Sequence, residues 1–203
     1  LTSSRGVSDT ISVASGVLTI LGFIPYIWAI LVGKTKPVKA TWLIWAVLDA
    51  ITLAGMVVLG SYNGQIIGAV IGVWMVALLS LRFGESGWTS LDKFCIAGAV
   101  VGITLWVLFN NPTLGIITSL TVILIGSVPT FVSAWKDPSK ENKLAWTIFW
   151  VACVCAVLAI PKLTLDDASQ PIVFFAVETV MMFILFVKPF VEKFLLTEKG
   201  DIV

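Results

Sequence analysis

Two carboxylates, Asp49 and Glu178, stand inside long runs of apolar residues, and no other groups in the chain are better placed to do chemistry. Leaving such a group charged against hydrocarbon costs at least about 3 kcal/mol. It must therefore face a cavity, find a hydrogen-bond donor or take up a proton. A carboxyl that loads and releases a proton suits proton-coupled movement of a solute, and one lining a cavity suits solute binding. The plain alternative is a carboxyl held neutral by a structural hydrogen bond. Trp74, in the middle of an apolar run, and Trp45 offer flat apolar surface against which a small ligand can rest. Covalent chemistry lacks its usual parts. The chain has no histidine, which removes imidazole bases, imidazole metal sites and histidine pH switches. Cys95, Cys153 and Cys155 sit in apolar runs without zinc-like spacing and read as small packing residues. The two acids are far apart in sequence, and no nucleophile and base stand at recognisable spacing. An enzyme, a bound metal and a cofactor are all outside the expectation.

The elements that must hold these groups are membrane helices. Of 203 residues, 58% are hydrophobic and 12% charged, whereas a soluble domain is about half apolar and about a quarter charged. A spanning helix needs about 20 mostly apolar residues. On that rule the chain divides into seven spans near 10–33, 41–60, 65–83, 94–110, 113–135, 143–161 and 171–190. Each run is about twice the length of a barrel strand and lacks two-residue alternation, so helix is the spanning element. Asp49 and Glu178 each fall at about the eighth residue of their spans, roughly 12 Å deep at 1.5 Å per residue. The first run is too long for a signal-peptide core and is followed by no small-residue cleavage pattern, so it reads as a mature helix.

Seven spans put the two ends of the chain on opposite sides. Arg5 and Lys162 fall on the N-terminal side. Lys34, Lys36, Lys39, Arg82, Lys93, Lys136, Lys140, Lys143, Lys188, Lys193 and Lys199 fall on the other. By the positive-inside rule the N-terminus is outside and the C-terminus cytoplasmic, in a plasma (inner) membrane. A net charge of +1 gives nucleic-acid binding no electrostatic support. The partners expected are the lipid bilayer and a small molecule.

The chain also repeats itself. At an offset of 104, the stretch 22–50 aligns without gaps with 126–154, matching Gly22 with Gly126, Pro25 with Pro129, Lys36 with Lys140, Lys39 with Lys143, Trp42 with Trp146, Ile44 with Ile148 and Val47 with Val151. Gln65 and Gln170 then mark the start of the third helix of each triplet. One odd helix between the triplets gives both repeats the same membrane orientation, related by an axis along the membrane normal. The organisation expected is a first bundle over 1–90, a linker helix over 91–112, a second bundle over 113–190 and a cytoplasmic tail over 191–203. Gly64, Gly68 and Gly72, with Gly98 and Gly102, allow close helix approach. That packing serves contacts within or between chains equally, so a homo-oligomer stays among the expectations. Of the nine tryptophans, Trp28, Trp42, Trp45, Trp135, Trp146 and Trp150 gather towards the cytoplasmic ends, where an interfacial belt explains them.

With Gly22-Phe-Ile-Pro25-Tyr26, Lys36-Pro37, Thr41-Trp42-Leu-Ile-Trp45, Gly126-Ser-Val-Pro129-Thr130 and Ala145-Trp146, the chain resembles the SWEET and Pro-Gln-loop transporter clan, in its prokaryotic-like seven-helix form. Tyr26 and Thr130 stand where that clan carries glutamine after the proline. The resemblance implies an all-α fold of three plus one plus three helices and alternating-access transport of a sugar, amino acid or similar small polar solute. It also implies hinges at Pro25 and Pro129, where a proline removes an intrahelical hydrogen bond; a static kink is the alternative. A seven-helix receptor that binds a small ligand without moving it is the second functional reading.

Overall fold

The computed structural model describes the backbone of residues 2–85, 87 and 90–190, and the side chains of these except 2–5, 91, 92 and 95. The tail 191–203, with Lys193 and Lys199, and the side chains of Arg5 and Cys95 lie outside the described residues. The described chain is all-α: α1 (Thr2–Leu31), α2 (Lys39–Leu59), α3 (Gly64–Phe83), α4 (Ser90–Phe109), α5 (Pro112–Gly126), α6 (Val128–Lys136), α7 (Lys143–Leu158) and α8 (Leu165–Met182), the last running on through a π-helical turn at Phe183–Val187. The one β feature among these residues is a bridge between Val38 and Glu85.

Among the described residues five segments are long and apolar enough to cross a membrane: Gly6–Leu31, Lys39–Leu59, Gly64–Phe83, Pro112–Lys136 and Leu165–Phe190. One apolar helix, Lys143–Leu158, is shorter than the sequence reading expects. For α7 the cause is Pro161, which disfavours helix at the residue before it; α7 ends at Leu158 and its 16 residues rise only about 24 Å. Helix α8 begins earlier than expected. Thr164 accepts a hydrogen bond from the Asp167 amide and so caps it, and Asp166 and Asp167 occupy the first turn, where the helix dipole favours them.

Polarity runs inside out. Val107, Leu108, Leu158 and Phe190 are about 70% exposed, while Ser15, Thr52, Gln65, Ser119 and Gln170 are buried. Water would penalise that apolar surface and hydrocarbon does not. The chain is an integral membrane protein.

The packing has a regular plan. Helix α3 lies against both α1 and α2, and α8 lies against both α5 and α7. Across these two groups, α1 packs on α7 and α2 packs on α5. Each group thus offers its first helix to the second helix of the other. Helix α4 rests on α5 and, less extensively, on α2. The starts of α1, α3, α5 and α8 share one end of the bundle, which carries Asp9, Asp166 and Asp167 and is called here the acidic end. There the Ser12 hydroxyl accepts from the Gly64 amide at 2.9 Å and the Thr113 hydroxyl donates to Asp166 at 2.7 Å. The opposite, basic end carries Lys34, Lys36, Lys136, Lys140 and Lys188.

Close approach of α1 and α3 depends on glycine. A Cβ at Gly16 would come within 2.6 Å of the Gly64 carbonyl oxygen, and one at Gly68 within 2.8 Å of the Gly16 oxygen. Both obstacles are backbone, which cannot swing aside. Gly98 and Gly102 of α4 instead approach the side chains of Val122 and Thr118 on α5. The Ser15 and Ser8 hydroxyls, donating to the Ala152 and Ala159 carbonyls at 2.7 and 2.6 Å, tie α1 to α7.

Gly68→Val should therefore force α1 and α3 apart and lower stability by roughly 1–3 kcal/mol, as overpacking does. Thermal unfolding in detergent should register this as a fall of several degrees. Gly6→Val, with nothing within 4 Å of its Cβ position, should leave the midpoint in place.

Candidate functional site

A cavity of about 70 Å³ lies where the two helix groups meet, lined by Thr19 and Phe23 of α1, Trp42, Trp45 and Asp49 of α2, Gln65, Ala69 and Val73 of α3, Ile123 of α5, Trp146, Phe149 and Cys153 of α7, and Phe174, Val177 and Glu178 of α8. One water needs about 10–15 Å³ of such space, so several waters or a small solute fit.

The lining obeys the repeat. At the offset of 104, Thr19 corresponds to Ile123, Trp42 to Trp146, Trp45 to Phe149 and Asp49 to Cys153; at 105, the offset that pairs Gln65 with Gln170, Ala69 corresponds to Phe174 and Val73 to Glu178. Both members of each of these six pairs line the cavity. It therefore lies between the two helix groups. The acids do not correspond to each other: Asp49 is matched by Cys153 and Glu178 by Val73.

Of the residues singled out from the sequence, Asp49, Glu178 and Trp45 are brought together on this cavity. Trp74 is not. It is 40% exposed and outside the lining, because its neighbour Val73 takes the inward position on α3. Trp28 and Trp135, 65% and 49% exposed near the basic end, suit an interfacial belt. Trp42 and Trp146 do not, being 3% and 2% exposed. Pro25 and Pro129 flank the cavity on the basic side without lining it. Pro25 lies within a continuous α1, whereas the helix breaks at Ser127, two residues before Pro129. The missing Pro129 N–H leaves the Ile125 carbonyl without its helical donor.

Side-chain contacts bound the cavity towards both ends of the bundle. Towards the acidic end, Asn63 donates to Gln170 at 2.7 Å, Gln170 donates to Gln65 at 3.0 Å and Gln65 donates to the Cys153 sulfur at 2.8 Å. Gln65 and Gln170 thus meet side chain to side chain between the two groups. Towards the basic end stands an aromatic plug. Tyr26 lies 5.1 Å from Trp42 and 6.5 Å from Trp146, centroid to centroid, and Phe23 lies 4.7 Å from Phe149. The Glu141 carboxylate accepts from the Trp146 indole at 2.8 Å and from the Tyr26 hydroxyl at 3.4 Å. Asn142 caps α7 by accepting from the Ala145 amide at 3.0 Å, and it donates to the Pro25 carbonyl at 3.0 Å. The loop between α6 and α7 is in this way fastened to the proline of α1. A surface ion pair, Lys140 with Glu85 at 3.3 Å, joins the same loop to the end of α3; exposed as it is, it adds little.

Some polar atoms around the cavity have no partner. The Trp45 indole N–H and one Glu178 carboxyl oxygen are buried without a hydrogen bond. Each such atom costs about 1–3 kcal/mol, a cost that a ligand or ordered water would offset.

No family model matches the chain, and neither a curated protein nor a solved structure matches it. The case for a function therefore rests on the site.

Glu141 and the glutamine pair are the groups that sequence reasoning passed over. Gln65 and Gln170 are visible in the sequence as markers of helix starts. That a repeat axis brings equivalent residues together could have paired them. Glu141 carries no such signal, since Pro37 stands at its counterpart position.

Burial pushes the Glu141 carboxyl up from 4.5 to about 7, against the pull of its Trp146 and Tyr26 hydrogen bonds and helped by the nearby charge of Glu85. A carboxyl raised in the folded state contributes stability that is fully present below about 4.5 and lost as pH rises through about 7. Taking the detergent-purified protein from alkaline pH to about pH 5 should raise the unfolding midpoint by a few degrees, and Glu141→Gln should flatten that part of the profile. An unchanged slope in the variant would remove Glu141 from this role.

Proposed function

We propose that the chain is a small-solute membrane carrier that works by alternating access, taking up its solute in the cavity between two triplets of helices. The carrying observation is that one cavity between the two helix groups holds both mid-helix acids and is lined by six residue pairs matched by the sequence offset. In this reading α1–α3 form one triplet, α5–α8 the other with α5 and α6 acting as a single broken span, and α4 links them in a seven-helix three-plus-one-plus-three plan. The N-terminus is outside and the basic end cytoplasmic, in the plasma (inner) membrane. The resemblance to the SWEET and Pro-Gln-loop clan agrees with this plan.

The seals give the reading its mechanics. Opening the acidic end requires separating Gln65 from Gln170, two neutral side chains whose amides water can satisfy at a net cost of about 1 kcal/mol per bond. Opening the basic end requires parting the Tyr26, Trp42 and Trp146 rings and releasing Glu141. The α1 and α7 pair and the α2 and α5 pair rock past each other, with Pro25 and the Ser127–Pro129 break as flexing points. Asp49 and Glu178 bind the solute and exchange it for protons.

Proteoliposome uptake of labelled sugars and amino acids, run with and without an inward proton gradient, tests the proposal. Wild-type protein should accumulate at least one solute. Asp49→Asn and Glu178→Gln should each cut the rate roughly tenfold or more, as removing a charge-assisted hydrogen bond does. Pro129→Ala should slow turnover while leaving apparent affinity within about twofold, since it affects flexing rather than binding. Ligand binding without uptake of any solute would favour a receptor, and full activity in both carboxyl variants would overturn the site.

A further inference from the structure

The solute class can be narrowed from the chemistry of the cavity and its approach. We infer that the site takes a small organic cation carrying an ammonium group. The inference shares the cavity with the carrier reading above but concerns what binds there, not whether it crosses the membrane.

Two acids on a cavity would not carry this alone. Asp49 is 4% exposed and, among the described residues, makes no hydrogen bond or ion pair. One Glu178 oxygen is likewise buried and unpaired. The cavity therefore has acceptor capacity to spare: its free donors are the unpaired Trp45 N–H and the second Gln65 amide N–H, the first being used on Cys153. No lysine or arginine lines the cavity. An ammonium group supplies donors and positive charge together, which is what two unpaired carboxyls lack. A carboxylate solute would meet no lysine or arginine among the described lining residues. A sugar, which carries an acceptor with every hydroxyl, would bring acceptors where acceptors are already in excess.

The remaining walls are aromatic. Trp42, Trp45, Trp146, Phe23, Phe149 and Phe174 line the cavity with the acids, and the negative face of an aromatic ring attracts a desolvated cation. The approach has the same sign. At the acidic end, beyond the glutamine pair, a second cavity of about 170 Å³ is lined by Asp9 and Asp167, again without lysine or arginine. Asn63 lines this outer cavity and donates to Gln170, so the seal separates one acidic chamber from another. Clefts lined by one sign of charge concentrate the opposite ion.

Thermal-shift titrations of the detergent-purified protein at neutral pH, with putrescine, ethanolamine, glucose and glutamate as separate probes, test the class of ligand. Putrescine or ethanolamine should raise the midpoint by several degrees at saturation, as binding to the folded state does, and glucose and glutamate should not. Asp49→Asn or Glu178→Gln should weaken the apparent affinity at least about tenfold. Trp28→Phe, at a position 65% exposed and outside the lining, should retain binding, and a cooperative unfolding transition in the unliganded carboxyl variants excludes a general folding defect. A shift with the cations but no uptake into proteoliposomes would uphold this inference and defeat the carrier reading. A shift and uptake with glucose alone would defeat the inference and uphold the carrier. No shift with either cation, or a cation shift untouched by both carboxyl variants, would overturn it.

Discussion

A carboxyl cannot rest in hydrocarbon, and the architecture can be read as the answer to having two of them halfway along membrane helices. Asp49 on α2 and Glu178 on α8 must be screened from lipid on every side, which demands that helices from both parts of the chain converge on one point. The pairing of α1 with α7 and α2 with α5 achieves this. It also explains the inverted polarity, in which serines, threonines and glutamines turn inward and the large aliphatic side chains turn out. The hydrophobic effect gives helices in a bilayer no reason to associate with one another; close packing and interhelical hydrogen bonds must do so. Here the Gly16, Gly64 and Gly68 contact supplies the first, and the Ser15 and Ser8 bonds to α7 supply the second.

Residues matched by the sequence offset meet in the structure. Gln65 meets Gln170, and Trp42 and Trp146 both pack on Tyr26. In the proposed carrier these contacts are the two seals that open in turn. The two seals differ in chemistry. The amide pair is neutral and local, whereas the aromatic plug is tied through Glu141 and Asn142 to the loop between α6 and α7 and to Pro25. That loop joins the proline-bearing helix of one group to the cap of a helix in the other.

Much of this was legible in the sequence, and the reasons are particular. Helix existence followed from the lengths of the apolar runs, and the inward placement of Asp49 and Glu178 followed from the cost of leaving an acid in lipid. The repeat was visible in Gly22-Phe-Ile-Pro25 and Gly126-Ser-Val-Pro129. Trp74 went astray because one residue of register on α3 turns a side chain by about 100°, and the repeat offset changes from 104 to 105 before that helix. Trp42 and Trp146 were read as interfacial because composition near a helix end does not reveal which face points inward. Helix ends were misjudged where capping outweighed hydropathy, as at Thr164, or where a proline acted from beyond the helix, as at Pro161. Glu141 was invisible because its burial comes from two rings contributed by other parts of the chain.

The claim on which the account depends is that the cavity is reached from alternate sides of the membrane. Ala69 lines it and carries no polar contact, so a cysteine placed there in a background with Cys95, Cys153 and Cys155 replaced reports access directly. A membrane-impermeant thiol reagent should modify Ala69→Cys when applied to right-side-out vesicles and, separately, to inverted ones, while the vesicles stay electrically tight. Modification from one side only, whatever solute is present, would contradict alternating access and leave a fixed binding pocket in its place.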